Sequence, residues 1–218
     1  MSSWRPVLRC VLGGSTLGLA GLTILSFVGV PTISAPAPAP VALSRAALLT
    51  ADDLPADFRP VPPLAVPAGG GCAALLAEPA AGWPGAVEED RRQAATGAHL
   101  WEAVARATQS QSPARSLEQL RDRLSACPSF LFHQEQAWVR RLPDPVPGGY
   151  AFGLTIRGAT GSYDGYLAAG RIGAAVCVLR YLAPTSTGTT AASRPEALSV
   201  MLRTALTRAG SVTGGSRR

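Results

Sequence analysis

Tyr150-Ala-Phe-Gly-Leu-Thr-Ile-Arg157 alternates strictly: Tyr150, Phe152, Leu154 and Ile156 point one way, Ala151, Gly153, Thr155 and Arg157 the other. A period of two sustained over the whole run is the mark of a β-strand with one face on a core. Residues 165–171 (GYLAAGR) and 174–182 (AAVCVLRYL) read as two more strands, joined by a short turn at Ile172–Gly173. Successive strands with short connections predict an antiparallel meander, and this meander decides the fold class.

Downstream, Ser193-Arg194-Pro195-Glu196 is a capping box. It opens a helix with Leu198, Met201, Leu202, Ala205 and Ala209 on one stripe, and the tail from Gly210 carries no structural signal. Upstream, residues 130–142 (FLFHQEQAWVRRL) read as one strand, ended by the Pro- and Gly-rich run 143–149. Ser112-Pro113 supplies an N-cap and a first-turn proline for a helix whose Leu117, Leu120, Leu124 and Cys127 share a face, and Pro128 stops it. Residues 86–96 and 99–107 read as strands, although Leu100, Trp101 and Val104 in the second also suit a helical period. Cys72–Glu78 starts a short helix, and residues 56–71, with their prolines and three consecutive glycines, read as loop. Those glycines lack the Gly-Lys-Ser/Thr ending of a phosphate loop. Thr50 caps a short element with Asp52 and Asp53 in its first turn, closed by Pro55. The expected fold is α+β: an antiparallel sheet with helices packed against one face, spanning residues 44–209, with 210–218 as a flexible tail.

A different physics governs the first forty residues. Arg5 and Arg9 precede the uncharged run Val11–Val30, which at about 1.5 Å per residue reaches roughly 30 Å, the thickness of a bilayer core. Positive charge on the short leading side (residues 1–10) keeps that end in the cytoplasm and sends the rest outside. Each alanine of Ala35-Pro36-Ala37-Pro38-Ala39-Pro40 is followed by proline, a poor residue after a cleavage site, so residues 11–30 are read as a retained transmembrane helix. Cleavage after Ser34 is the alternative and would release a secreted protein. Residues 31–43 form a stiff Pro/Ala spacer, or a disordered linker of similar consequence. Cys10 precedes the apolar run and so does not fit a lipid-modified cysteine. The Gly14–Gly18 spacing permits close helix approach, as in a self-associating assembly protein.

All 20 basic residues are arginine, with neither Lys nor Asn in the chain, which points to a GC-rich coding bias. The net charge of +6 is partly terminal, and acidic and basic residues mix locally, as in Glu88-Glu89-Asp90-Arg91-Arg92. No arginine stripe interleaves with aromatics, which argues against a nucleic-acid partner.

Three cysteines follow the apolar segment: Cys72 and Cys127, each at a helix end beside a turn, and Cys177 inside an apolar strand. An oxidising compartment therefore favours a Cys72–Cys127 disulfide with Cys177 a buried thiol. The chain has two histidines, His99 and His133, both in expected strands. It has no Gly-x-Ser-x-Gly, His-Glu-x-x-His or Cys-x-x-Cys motif, hence no catalytic residues, metal ligands or cofactor are expected. Gly158–Gly165 reads as a hairpin connection whose Ser162, Tyr163 and Asp164 could contact a ligand. The neighbouring acids Asp52/Asp53 and Glu88/Glu89 suit caps and solvated faces better than an acid–base dyad.

Several features together resemble the extracellular sensor-like domain of PknH-type actinobacterial Ser/Thr kinases, found also in actinobacterial exported and membrane-anchored proteins. They are Leu48-Leu49-Thr50-Ala51-Asp52-Asp53-Leu54-Pro55, the Cys72-x-x-Leu75 start, Leu124-Ser125-Ala126-Cys127-Pro128, the hairpin at Arg171-Ile172-Gly173 and the closing helix. The resemblance covers roughly residues 46–209. It implies an α+β fold enclosing a cleft for an unidentified ligand, commonly with two disulfides, a number that the odd third cysteine does not accommodate. With no kinase half present, the chain is expected to be a membrane-anchored binding or sensing domain of the envelope, taking a small molecule or a protein partner. The rival readings are an envelope hydrolase with a Ser/His/Asp site and a structural assembly protein.

Overall fold

The computed structural model describes residues 43–63, 70–83, 85–106, 112–159, 161–185 and 195–214. The apolar run 11–30, most of the Pro/Ala spacer, and Ser193 and Arg194 of the capping box lie outside these residues. Among the described residues no helix is long and apolar enough to cross a membrane.

The chain forms eight strands: β1 Phe58–Val61, β2 Val87–Gln93, β3 His99–Arg106, β4 Ser129–Phe132, β5 Glu135–Leu142, β6 Tyr150–Arg157, β7 Ser162–Ile172 and β8 Ala175–Pro184. The helices are α1 Cys72–Ala77, α2 Pro113–Ser125 and α3 Pro195–Gly214. One sheet takes all strands in the order β1-β2-β3-β8-β7-β6-β5-β4, each pair antiparallel. The meander is therefore β6-β7-β8, and β3 closes against its inner edge, pairing Val104 with Cys177.

Helices cover both faces of this sheet, not one. Along β8, Ala175, Cys177, Leu179, Tyr181 and Ala183 join the core beneath α3, while Val176, Val178 and Leu182 join a second core beneath α1 and α2. A strand buried on both sides reads as a continuous apolar run, and residues 174–182 are such a run. The alternation in β6 holds: Tyr150, Phe152, Leu154 and Ile156 all enter the α1/α2 core. On the other side the α3 stripe Leu198, Met201, Leu202, Ala205, Leu206 and Ala209 is buried against β7 and β8. Gly170 of β7 permits that approach, since a Cβ there would sit 3.0 Å from both Leu206 and Val146.

Other boundaries also differ from expectation. The 56–71 loop contains β1, whose Pro60 is tolerated because β1 is an edge strand. The run 130–142 is two strands, β4 and β5, folded at His133 and Gln134 with φ of +50° and +69°. Two successive residues at positive φ make the tight turn that matches strand twist, so His133 lies in a turn. β7 begins at Ser162, inside the expected 158–165 connection, and the β7–β8 turn centres on Gly173 and Ala174. α3 runs on through Gly210 to Gly214.

Candidate functional site

The α1/α2 face is held by a covalent and an ionic anchor. Cys72, the first residue of α1, is bonded to Cys127, just past α2, and Cys177 is a free buried thiol. The expected pairing is thus the observed one. α1 has only six residues, too few to be stable alone, and its last carbonyls need donors. Arg180 of β8 supplies them: its Nη1 donates to the Leu76 and Ala77 carbonyls at 2.7 and 2.6 Å. The guanidinium is 1 % exposed, lies 5.5 Å from the Trp101 ring centre and reaches Asp90 Oδ2 at 3.7 Å. Burial pulls Arg180 down to about 10, with the Asp90 and Glu88 charges opposing, so it remains a cation at neutral pH.

Asp90 extends this chain of contacts to a cavity. Its other carboxylate oxygen faces His99 Nδ1 at 3.6 Å, and both Asp90 and the ring edge are buried. His99 then lines a cavity of about 220 Å³ with His133, Glu135, Tyr163 and the apolar Phe132, Ile156 and Leu182. These residues come from β3, the β4–β5 hairpin, β6, β7 and β8. The sheet curls enough to carry the β4–β5 turn back over the face that β3 presents. Phe132 packs edge-on against His133, ring centres 4.7 Å apart, which fixes the turn above the apolar floor. The two histidines of the chain, expected in separate strands, therefore converge on one site. Among the described residues no group of three His, Cys, Asp or Glu side chains is placed to hold a metal ion.

Strand alternation divides the residues flagged in Gly158–Gly165. Tyr163, paired with Ile156, faces the cavity. Asp164, paired with Thr155, faces the opposite side, where Arg157 binds it at 2.9 Å. There it borders a wider, open concavity of about 640 Å³ with Trp138, Arg140 and Tyr166. The two faces do not share a site.

On the α3 face a second ionic cluster ties the N-terminal turns to the sheet. Glu102 of β3, fully buried, accepts from the Leu49 N–H at 2.9 Å and from Arg91 at 3.3 Å. Arg91 also donates to the Leu49 carbonyl at 2.6 Å and pairs with Glu89. Burial pushes Glu102 up to about 7 despite those donors. Of the flagged acids, Asp53 closes the cap on Thr50; burial works against its ionisation, but the Thr50 donors and Arg208 hold it below its usual value. Glu88 is exposed on β2, as expected of a solvated face, and partial desolvation together with the Glu78 charge displaces it upward.

No protein-family model matches this chain, and no curated protein matches it. The geometry of the site therefore carries the functional argument.

Proposed function

We propose that this protein is a membrane-anchored extracytoplasmic binding or sensing domain whose ligand sits in the cavity between His99 and His133. The single observation that carries the reading is the convergence of both imidazoles, Glu135 and the Tyr163 phenol over an apolar floor. Ligand sites combine this kind of apolar lining with a few convergent polar groups. At about 220 Å³ the cavity takes a small molecule, or the end of a longer one, with an apolar body and a polar head. Among the described residues the lining offers imidazole, carboxylate and phenol groups. The anchoring helix at 11–30, the actinobacterial source and the sensor-like character belong to the same proposal, resting on the sequence features above.

Native mass spectrometry of the full chain, released from detergent after expression in an actinobacterial host, tests the cavity. We expect a non-covalent adduct in the wild-type protein that is lost in His99→Ala and in His133→Gly. A wild-type protein without an adduct, or one whose adduct survives both substitutions, overturns the assignment. A carbonate wash of the membranes tests the anchor: a shortened, fully soluble product contradicts it.

The Asp90–His99 pair favours one second reading, a hydrolase, because a buried carboxylate beside an imidazole is the arrangement that orients a general base. Ester turnover that disappears in His99→Ala while the fold persists would establish it over simple binding.

A further inference from the structure

Three arginines converge at the other end of the α1/α2 face. Arg121 comes from α2, Arg141 from β5 and Arg171 from the end of β7; with Tyr150, Glu118 and Asp144 they line a pocket of about 240 Å³. Tyr150 and Ile156 are six residues apart on β6, about 20 Å at strand rise, so this pocket is separate from the histidine cavity.

Two features of the pocket are unresolved by the protein's own contacts. Tyr150 is 3 % exposed, and its hydroxyl is buried with no hydrogen-bond partner among the described residues. A buried hydroxyl left without a partner is disfavoured, and native structures rarely keep one unless water, an ion or a ligand completes it. Arg171 makes no ion pair or hydrogen bond among the described residues, whereas Arg141 pairs with Asp144 and Arg121 with its neighbour Asp122. The Arg141 guanidinium also lies 5.7 and 5.3 Å from the Tyr150 and Phe152 ring centres, which fixes it over the site. The charges of Arg121 and Arg141 reach the Tyr150 phenol as well, opposing the upward displacement that its burial causes.

We propose that this pocket binds a singly charged phosphate-type oxyanion, held by the Arg171 and Arg141 guanidinium groups and by the Tyr150 hydroxyl. Guanidinium forks match such oxyanions in geometry and charge. Asp122 pairs with Arg121 and Asp144 with Arg141, so Arg171 is left as the unpaired guanidinium of the pocket among the described residues, and one such charge suits a phosphodiester or dihydrogen phosphate better than a doubly charged phosphomonoester. The Tyr150 hydroxyl then gains the partner it lacks, donating to a phosphate oxygen.

The test is a titration of the full chain in detergent, followed through the arginine Nε–H resonances at constant ionic strength. The probes are inorganic phosphate at pH 6 and dihexanoyl phosphatidylglycerol below its micelle concentration. We expect saturable shifts at Arg171 and Arg141 with half-saturation at about 1–10 mM. Affinity should fall about tenfold in Arg171→Ala and about fivefold in Tyr150→Phe, as for loss of a charged and a neutral hydrogen bond. Tyr150→Phe keeps the ring and removes only the unpartnered hydroxyl, so its melting temperature without ligand should not fall. Saturation by phosphate alone identifies a soluble oxyanion; saturation by the lipid identifies a headgroup. Shifts that stay linear with both probes, or that are unchanged in Arg171→Ala, overturn the proposal.

Discussion

The two faces of the sheet are closed by different means. On one, the twenty-residue α3 lays a continuous stripe of Leu, Met and Ala along β7 and β8, and the ionic contacts of that face (Arg91 with Glu102, Arg208 with Asp53) tie the N-terminal turns onto it. On the other, the six-residue α1 and thirteen-residue α2 cover a curled surface, and they need the Cys72–Cys127 bond and the Arg180 guanidinium to stay in place. A long helix can rely on its apolar stripe; a helix of fewer than two turns cannot. The anchored face also carries the histidine cavity and the arginine pocket. Covalent and ionic ties let the covering elements be short, and short elements leave the ends of the strands open to solvent.

The sharpest way to break this comparison is to remove the bond. Cys72→Ser with Cys127→Ser opens a loop of 55 residues, and the loss should be on the order of 4 kcal/mol by loop entropy. Hydrogen exchange should rise first in α1 and only later in α3; equal loss of protection in both would show that the faces are one cooperative unit. Leu202→Ala, at the centre of the α3 stripe and 0 % exposed, should cost about 3 kcal/mol in denaturant unfolding. Its effect on α1 protection should be small by comparison.

The smallest effect concerns Glu102, beneath the N-terminal turns. Its folded value of about 7 stands above the 4.5 of an ordinary glutamate, so the native state binds the proton more tightly than the unfolded chain. Its contribution to stability is fully present below pH 4.5 and is lost as pH rises through 7. Glu102→Gln should therefore flatten the stability–pH curve between those values, with any gain at pH 8 reduced by the weakened Arg91 contact. A variant with an unchanged slope would mean that another group sets it.

The meander was legible because β6 alternates and the connections are short. Two-sided burial was missed although the clue was present: Val176, Cys177, Val178 and Leu179 leave no polar face. Arg180, embedded in that run, was the visible sign of a buried partner, but the α1 carbonyls it caps lie more than a hundred positions away and no local pattern names them. The β4–β5 turn was hidden because His133 and Gln134 replace the Asn-Gly pair that usually marks such a turn. The convergence of the histidines depends on sheet curl, a property of strand pairing across the whole domain. The α3 extension through Gly210 was lost to propensity, which the packing of Ala209 and Val212 overrides.

Cys177 adds a constraint on how the chain can mature. Three thiols downstream of the N-terminal segment allow three different single bridges, and only one is native. Cys177 is completely enclosed, but that enclosure exists only once β3 and β7 have both paired with β8 and α3 has docked. Before that point all three sulfurs are open to oxidant. Oxidation after the centre of the sheet has assembled finds just one pair within reach, whereas a bridge made earlier through Cys177 has to be exchanged before β8 can be enclosed. Exchanging Cys177 for alanine would leave Cys72 and Cys127 as the one pair downstream of the N-terminal segment at every stage of folding.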